Sequence, residues 1–421
     1  MTDHSALGDG AVSSPPLAPA TATQLIHHPY RPPAGFEAPQ IAIHKASTVL
    51  FANVAAMRER DWRNKSGYTY GLHGTPTTFT LEERLACLEG GRHCLLVPSG
   101  LAAIAVVALA LLQPGDVVLL PDNVYGPNRD LAFGELARFG VRPLLYDPLD
   151  FSDLAAKLSA QVRLVWLEAP GSVTMEFPDL TSQVRLCRER GALAVLDNTW
   201  GAGLAFAPFD LLRDGSLGVD VSVHALTKYP NGGGDVLMGS VVTRDDALHQ
   251  QLKLTHMRLG LGVGANDAEA VLRGLPSMAL RYRAHDHAAR RLAAWLGAQP
   301  QVAQVLHPAL PESPGHAHWQ ALCGAADGGQ GAAAGLFSVV FDARYTQHQV
   351  DAFCDALSLF RLGYSWGGPM SLVVPYTLSA MRSRPTPHLK PGCLVRFSIG
   401  LERVEDLQAD LARALAVALP A

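Results

Sequence analysis

The order of apolar segments along this 421-residue chain predicts an α/β fold built on a large, mostly parallel sheet. Short continuous apolar runs, at residues 117–120, 143–146, 164–168 and 193–196, alternate with longer segments of helical periodicity. Apolar runs of this kind are typical of strands covered on both faces, and strand–helix alternation supplies the covering helices. We expect residues 237–243 to close the sheet.

A second group of strands predicts a smaller C-terminal α/β domain, since the chain is too long for one simple core. A long helical stretch at about 266–296 leads to apolar runs at 336–341, 372–374 and 394–399. Helical periodicity returns at 404–419.

The first 40 residues are rich in Pro, Ala and Ser, a composition typical of disordered segments. The apolar residues 41–51 are where an N-terminal arm would dock. We therefore divide the chain into a disordered tail and arm (1–73), a large domain (74–275) and a C-terminal domain (276–421).

Composition excludes several classes of function. With 34 basic and 38 acidic residues the net charge is −4, and no dense basic run suggests binding to nucleic acid or a membrane surface. Six scattered cysteines without a Cys-x-x-Cys pattern favour a reduced compartment. We identify no signal peptide, and the most apolar stretch, 101–112, is too short to span a bilayer. The prediction is a cytoplasmic protein.

One His-x-His pair, His316 and His318, has the ligand type of a metal site. No third ligand lies near the pair in the sequence. We interpret this segment as a surface loop and predict no bound metal.

Two predicted strands end in residues that suit a cofactor. Asp197 follows the run 193–196, and Thr227 and Lys228 follow the run 219–223. A lysine amine can form a Schiff base with pyridoxal phosphate (PLP), and a carboxylate can keep the pyridinium nitrogen protonated. Taken alone, Asp197 could equally be a helix cap or turn residue rather than a cofactor partner. Lys228 taken alone is more often a solvated surface lysine.

Two further segments have both a functional and a simpler interpretation. Ser99, Gly100 and Leu101 open an Ala-rich helix, whose free N–H groups suit a phosphate, although many strand-to-helix turns look the same. Residues 68–77 form a Gly-rich aromatic loop before a helix, for which Thr80 and Glu83 predict a capping box.

Several motifs occur together in the order typical of one enzyme family. They are residues 168–176 (EAPGSVTME), 197–200 (DNTW), 227–229 (TKY), 307–311 (HPALP), 364–368 (YSWGG) and 396–402 (RFSIGLE). From about residue 41 to residue 419 the chain resembles the PLP-dependent enzymes of Cys/Met metabolism. Residues 171–175 resemble the β-lyase branch, because the γ-lyase and γ-synthase branches usually carry Asn-Pro there.

The resemblance implies the type I fold of PLP-dependent transferases, which is aspartate-aminotransferase-like. It also implies a homotetramer whose active sites form between paired subunits, with the N-terminal arm contributing to the neighbouring site.

The resemblance also implies roles for individual residues. Lys228 would carry PLP and act as the base at the substrate Cα, and Asp197 would pair with the pyridinium nitrogen. Tyr125 would stack on the ring, and Arg396 would clamp the substrate α-carboxylate. The residues expected to line the substrate pocket are Tyr125, Ser365 and Trp366.

The phosphate would be held by residues from two subunits. Ser99, Gly100, Leu101 and Thr227 would bind it through backbone N–H groups and a hydroxyl. Tyr70 would reach the phosphate of the neighbouring subunit.

Two positions depart from the family pattern. Leu72 stands where the family usually has a phosphate-binding arginine, and we hypothesise that His73, Arg63 or Lys65 replaces it or that PLP binds more loosely. Pro369 and Met370 stand where relatives often have a glutamate, which leaves open how the distal amino group of a long substrate is recognised.

The resemblance implies α,β-elimination of a thioether amino acid, with cystathionine yielding homocysteine, pyruvate and ammonia in methionine biosynthesis. Three alternatives stay open: a general cysteine or cystine C–S lyase, an enzyme of the γ-lyase or γ-synthase type, and a PLP-binding regulatory protein. A non-PLP α/β protein is a further alternative. Lys228 and Tyr125 are both candidates for the proton donor to the leaving thiolate.

Overall fold

Continuous apolar runs form the larger of two β-sheets in the computed structural model, which describes residue 35 and residues 38–420. Its strands are β1 (His93–Val97), β2 (Val117–Pro121), β3 (Arg142–Tyr146), β4 (Val162–Glu168), β5 (Leu193–Asp197), β6 (Val221–Ala225) and β7 (Gly239–Thr243). Their spatial order is β1-β7-β6-β5-β4-β2-β3. Strands β2 to β6 pair in parallel and β7 is antiparallel to both neighbours, which confirms the predicted mostly parallel sheet.

Helices precede, connect and follow these strands along the chain. They are α1 (Val54–Arg58), α2 (Pro76–Glu89), α3 (Gly100–Leu111), α4 (Gly126–Leu131), α5 (Phe151–Lys157), α6 (Leu180–Arg190) and α7 (Asp246–Leu259). Ile104 and Val107 of α3 share one buried core with Val195 of β5 and Val223 of β6. Within the described part of the chain, no helix has the length and apolar character needed to cross a bilayer.

Helix α2 begins earlier than the sequence indicated. Thr75, not Thr80, is the N-cap residue, and its side chain forms a reciprocal capping box with Thr78. Pro76 opens the helix, where its fixed φ and missing N–H are tolerated. The predicted capping box of Thr80 and Glu83 is therefore wrong: Thr80 lies inside the helix and donates to the carbonyl oxygen of Pro76 at 2.7 Å.

The smaller sheet has five strands in the order β10-β11-β12-β9-β8. The strands are β8 (Val302–Leu306), β9 (Leu336–Phe341), β10 (Arg361–Leu362), β11 (Leu372–Tyr376) and β12 (Leu394–Ser398). The accompanying helices are α8 (Ala265–Gly297), α9 (His316–Cys323), α10 (Gln347–Ala356), α11 (Leu378–Met381) and α12 (Val404–Ala418). Phe337, Phe353 and Phe397 lie in its buried core. Strands β8 and β10 were not predicted from the sequence.

The His316 and His318 pair lies in the first turn of α9, so its assignment to a surface loop was wrong. Gly315 precedes the helix in a left-handed conformation (φ 82°), and His316 Nδ1 lies 2.9 Å from the carbonyl oxygen of Pro308. Among the described residues, no group of three or more His, Cys, Asp or Glu side chains is arranged to hold a metal.

The division between the two sheets falls on one long helix. Helix α8 runs over 33 residues and packs against α2 as well as against β8 and β9. The domain boundary placed at 275/276 lies inside this helix and stays a prediction, because residues 42–421 form one compact unit. The tail assigned to residues 1–40 falls almost entirely outside the described residues.

The Thr75 cap gives a test of where α2 begins. Replacing Thr75 with Ala should lower the free energy of unfolding by about 1 kcal/mol, because the Thr78 backbone N–H loses its side-chain acceptor. Thr75→Ser keeps the hydroxyl and should unfold near the wild-type midpoint in urea. A Thr80→Ala variant that loses more stability than Thr75→Ala would contradict this assignment.

Candidate active site

The two residues that first indicated a cofactor lie at the same edge of the larger sheet. Asp197 ends β5 and pairs in register with Val223 of β6. Lys228 follows the end of β6 at Ala225. Ligand-facing residues gather at the carboxyl ends of parallel strands, so the strand order explains why residues distant in sequence meet here.

Lys228 lies beside the two residues predicted to line the substrate pocket. Its Nζ donates a hydrogen bond to Ser365 Oγ at 2.9 Å and lies 5.4 Å from the centre of the Trp366 ring. Burial, followed by the positive charge of Arg396, lowers the pKa of Lys228 to about 8, while Asp197 opposes this shift. The amine is therefore more readily deprotonated than that of a solvated lysine.

Asp197 is oriented by Thr199, a residue that the sequence reasoning did not single out. The Thr199 backbone N–H and hydroxyl donate to Asp197 Oδ1 at 3.0 and 2.6 Å. The same hydroxyl oxygen accepts from the Ala225 N–H at 3.0 Å, which ties β5 to β6. Burial raises the pKa of Asp197 and the hydrogen bonds from Thr199 oppose that shift, so a cationic ligand would complete its environment.

A buried polar cluster lies close enough to influence Asp197. Glu89 accepts from the hydroxyl of Ser222 and lies 3.0 Å from His224 Nδ1, with all three residues almost fully buried. The charge of His224 lowers the pKa of Asp197, whereas that of Glu89 raises it. No periodic pattern or motif in the sequence indicates this cluster.

Tyr125 lies at the start of α4 and is held through its backbone. Its N–H donates to Glu168 Oε2 at 2.8 Å, and Glu168 is the register partner of Asp197 on β4. Partial burial, then the charges of Asp197 and Glu168, raise the pKa of the Tyr125 phenol. Burial and the charge of Asp197 raise the pKa of Glu168 well above its usual range.

Arg396 of β12 points at the same region from the smaller sheet. Its guanidinium lies 5.5 Å from the centre of the Tyr376 ring and donates to the Tyr364 carbonyl oxygen at 2.9 Å. Only 7% of the residue is exposed, and its Nε has no hydrogen-bond partner among the described residues. A buried, incompletely paired guanidinium is suited to bidentate binding of a carboxylate.

The predicted phosphate site is formed by the start of α3 and the turn after β6. Ser99 caps α3 by accepting from the Ala102 N–H at 3.0 Å, so the amides of Gly100 and Leu101 remain free in the first turn. A Cβ on Gly100 would lie 2.6 Å from that of Ala225, so only glycine allows this approach. Thr227 holds the adjoining turn through hydrogen bonds with the Met238 backbone.

Tyr70 stands apart from the other predicted site residues. It precedes a 3₁₀ turn (Gly71–His73), is 43% exposed, and its ring lies edge-on to that of His73 at 5.7 Å. None of the hydrogen bonds among the described residues links it to the rest of the site. Its role in a neighbouring subunit stays a prediction.

These groups fit PLP carrying an amino acid. Lys228 offers an amine of lowered pKa, and Asp197 offers a carboxylate that forms no ion pair with any described residue. The start of α3 offers free N–H groups of the kind that bind phosphate. The unpartnered Nε of Arg396 is available for the amino acid's carboxylate.

The lowered pKa of Lys228 is measurable in cofactor-free protein. A brief pulse of acetic anhydride labels only neutral amines, so labelling of the Lys228 peptide should rise through a midpoint near pH 8. Arg396→Met should raise this midpoint by roughly one pH unit, because a cation that favours the neutral amine is lost. Arg396→Lys keeps the charge and is the matched control. An unchanged midpoint in Arg396→Met would show that Arg396 does not act on Lys228.

Comparison with known proteins is consistent with this site. The family model described as Cys/Met metabolism PLP-dependent enzyme matches residues 22–416. The cystathionine beta-lyase of Bordetella avium is 37% identical over 92% of this chain and 94% of its own length. That of Salmonella typhimurium is 37% identical over 89% and 92%. A cystathionine gamma synthase of Xanthomonas oryzae, solved with aminoacrylate and cysteine, superposes with a TM-score of 0.78 at 33% identity, covering 90% of this chain and 92% of the other. The chain belongs to the PLP-dependent enzymes of Cys/Met metabolism.

Proposed function

We propose that this enzyme is a carbon–sulfur lyase that splits L-cystathionine by α,β-elimination into homocysteine, pyruvate and ammonia. The observation that carries this proposal is the half-buried Lys228 beside the buried Arg396, which places a deprotonatable amine near a carboxylate clamp. The relatives named cystathionine beta-lyase support the choice of substrate and reaction. The product homocysteine would serve methionine biosynthesis.

Each charged side chain would have a distinct task. Arg396 binds the substrate α-carboxylate, which fixes the orientation of the Cα–H bond. Lys228, with a pKa of about 8, removes the Cα proton. When bound, PLP supplies an electron sink that stabilises negative charge at Cα. Asp197, held by Thr199, keeps a positive charge at the ring nitrogen.

The leaving thiolate needs a proton, and two groups can supply it. Lys228 has just accepted one from Cα. Tyr125 keeps its phenolic proton at neutral pH because burial and two nearby carboxylates raise its pKa. The hydrogen bond from its N–H to Glu168 fixes the backbone from which the phenol projects.

Two alternatives follow from particular observations. The solved structure of a γ-synthase relative favours γ-replacement or γ-elimination, which requires a second proton removal at Cβ. The segment 171–175, typical of the β-lyase branch, argues against that reaction. Met370 is 52% exposed where relatives often have a glutamate, which favours a general lyase acting on cysteine or cystine.

Product analysis distinguishes these reactions. PLP-saturated enzyme incubated with L-cystathionine should release pyruvate and homocysteine in equal amounts. Lys228→Ala should lower this rate by roughly a thousandfold, because the Cα base is lost.

Other products would redirect the assignment. Release of 2-oxobutyrate with cysteine would identify γ-elimination. Pyruvate from cystine, without turnover of cystathionine, would identify a general C–S lyase. Retained PLP without turnover of any thioether would indicate a regulatory PLP-binding protein.

The position of Leu72 bears on how the phosphate is held. Of the three cations considered as replacements for arginine, Lys65 is bound to Glu82 at 2.9 Å and to Glu83. His73 lies 2.7 Å from Thr69 Oγ1, and burial followed by the charge of Lys253 lowers its pKa, so it is mostly neutral at pH 7.

Two other cations remain available near this loop. Arg63 is exposed and lies beside its neighbouring ring, Trp62, at 5.9 Å. Lys253 is 4% exposed, lines the same cavity as Leu72, and forms no hydrogen bond or ion pair with any described residue.

Restoring the arginine tests this departure. Leu72→Arg should bind PLP about ten- to a hundredfold more tightly, because a charge-assisted hydrogen bond to the phosphate is gained. The measurement is a titration of cofactor-free protein followed by absorbance, with Leu72→Met as the uncharged control. Equal affinities in the two variants would mean that another cation, such as Arg63 or Lys253, already supplies the charge.

The predicted assembly is a homotetramer with shared active sites, which we keep as part of this proposal. Apolar residues of the segment around α1 support it, since Leu50 is 91% exposed and Val54 is 57% exposed. Exposed apolar side chains that cluster in one patch often mark a protein–protein interface. The predicted cytoplasmic location is likewise kept as part of this proposal.

A further inference from the structure

The segment Gly171 to Glu176 identified the β-lyase branch in the sequence, and none of its residues belongs to the site described above. It links two parts of the active site that come from different sheets. Its backbone is unusual, because Val173 (φ 69°) and Met175 (φ 59°) both have left-handed conformations. Such conformations are strained for non-glycine residues, above all for β-branched valine, and persist where surrounding contacts enforce them.

On one side the segment holds the loop that carries Tyr125. The Ser172 N–H donates to the Asn123 carbonyl oxygen at 2.9 Å, and Asn123 Nδ2 donates to Glu176 Oε2 at 2.9 Å. A Cβ on Gly171 would lie 1.8 Å from Asn123 Nδ2, so a side chain there would displace Asn123. Asn123 precedes Tyr125 by two positions on the same loop.

On the other side the segment contacts the strand that pairs with Arg396. Ser338 Oγ donates to the Val173 carbonyl oxygen at 2.5 Å. Ser338 lies on β9 and is the register partner of Arg396 on β12. A single hydrogen bond therefore connects the left-handed Val173 to the strand that pairs with Arg396.

Glu176 adds a second attachment to the smaller sheet. It accepts from Arg382 and lies 2.9 Å from His388 Nε2, and both residues belong to the connection between β11 and β12. Arg129 of α4 holds the same connection through the carbonyl oxygen of Met381 at 2.7 Å. Hydrogen bonds, chiefly from His388, and the charge of Arg382 overcome burial and lower the pKa of Glu176 to about 2, so it stays ionised at physiological pH.

We propose that the Gly171 to Glu176 segment is a positioning element that sets the separation between Tyr125 and Arg396, and thereby how firmly the substrate α-carboxylate is clamped. Ser338 and Glu176 act through other residues and are positioning residues. The proposal rests on the function proposed above, since it assumes that Arg396 receives a carboxylate.

Two small ligands distinguish binding of the carboxylate by Arg396 from the reaction of the amine with PLP. Glycine and methylamine both displace Lys228 from PLP through their amine, but only glycine has a carboxylate for Arg396. Their dissociation constants can be measured from the change in cofactor absorbance without any turnover. The ratio of the two constants reports the carboxylate clamp alone.

Ser338→Ala removes the contact on the Arg396 side with minimal change of volume. The preference for glycine over methylamine should fall about tenfold, because a misplaced guanidinium loses part of a charge-assisted bond. Methylamine affinity and the cofactor spectrum should stay at wild-type values. Ser240→Ala is the matched control, because Ser240 is an equally buried strand serine whose Oγ has no described partner.

Glu176→Gln tests the second attachment of the segment, through Arg382 and His388. It should also lower the preference for glycine over methylamine. In the double variant Ser338→Ala/Glu176→Gln, this preference should fall by less than the product of the two single decreases, because both residues act through one segment. Should Glu176→Gln fail to fold because Arg382 loses the Glu176 carboxylate, Ser338→Ala alone decides.

The outcomes separate this inference from the proposed function. If Ser338→Ala prefers glycine over methylamine as strongly as the wild type does, the positioning role is overturned and the proposed function is left intact. Equal loss of glycine and methylamine binding would also overturn it, since that pattern reflects general damage to the site. A wild-type protein whose PLP responds to neither ligand would overturn both.

Discussion

The site depends on the burial of ionisable side chains where the two sheets meet. Lys228 and Arg396 are both cationic in ordinary peptides. Here burial lowers the pKa of each from its usual value, and the positive charge of Arg396 adds to the shift of Lys228. Burial also raises the pKa of Asp197, which disfavours the charged form of its carboxyl group. A ligand bearing a carboxylate and a ring cation would pair with these buried groups and offset part of the cost of burying their charges.

The sequence predicted the larger sheet well because buried parallel strands are uninterrupted apolar runs. Strand β8 was missed because it carries Gln304 and is only half-buried, and β10 because two exposed residues show no period. The start of α2 was misplaced since the hydroxyls of Thr75 and Thr78, rather than a Thr–Glu pair, form its capping box. In each case, contacts rather than local composition determined the outcome.

Site prediction from sequence had a similar limit. Asp197 and Lys228 stand at strand ends, which a pattern reveals, and the family motifs pointed to Ser365, Trp366 and Arg396. Tyr376, whose ring lies against Arg396, and Thr199, which orients Asp197, act through side-chain geometry that no spacing encodes. The roles given to the phosphate-binding residues and to Tyr70 stay predictions.

Helix α8 constrains the order in which the molecule can be completed. At 33 residues it extends about 50 Å, packing on α2 near one sheet and on β8 and β9 of the other. Ribosomes deliver the N-terminal part first, so the larger sheet and then α8 are synthesised before the strands that cover the second half of α8. Leu292 and Leu296, fully buried in the finished protein, remain without those partners until the last strands emerge. A nascent chain stalled within the smaller sheet should therefore be a natural target for chaperones that bind exposed leucine-rich helices.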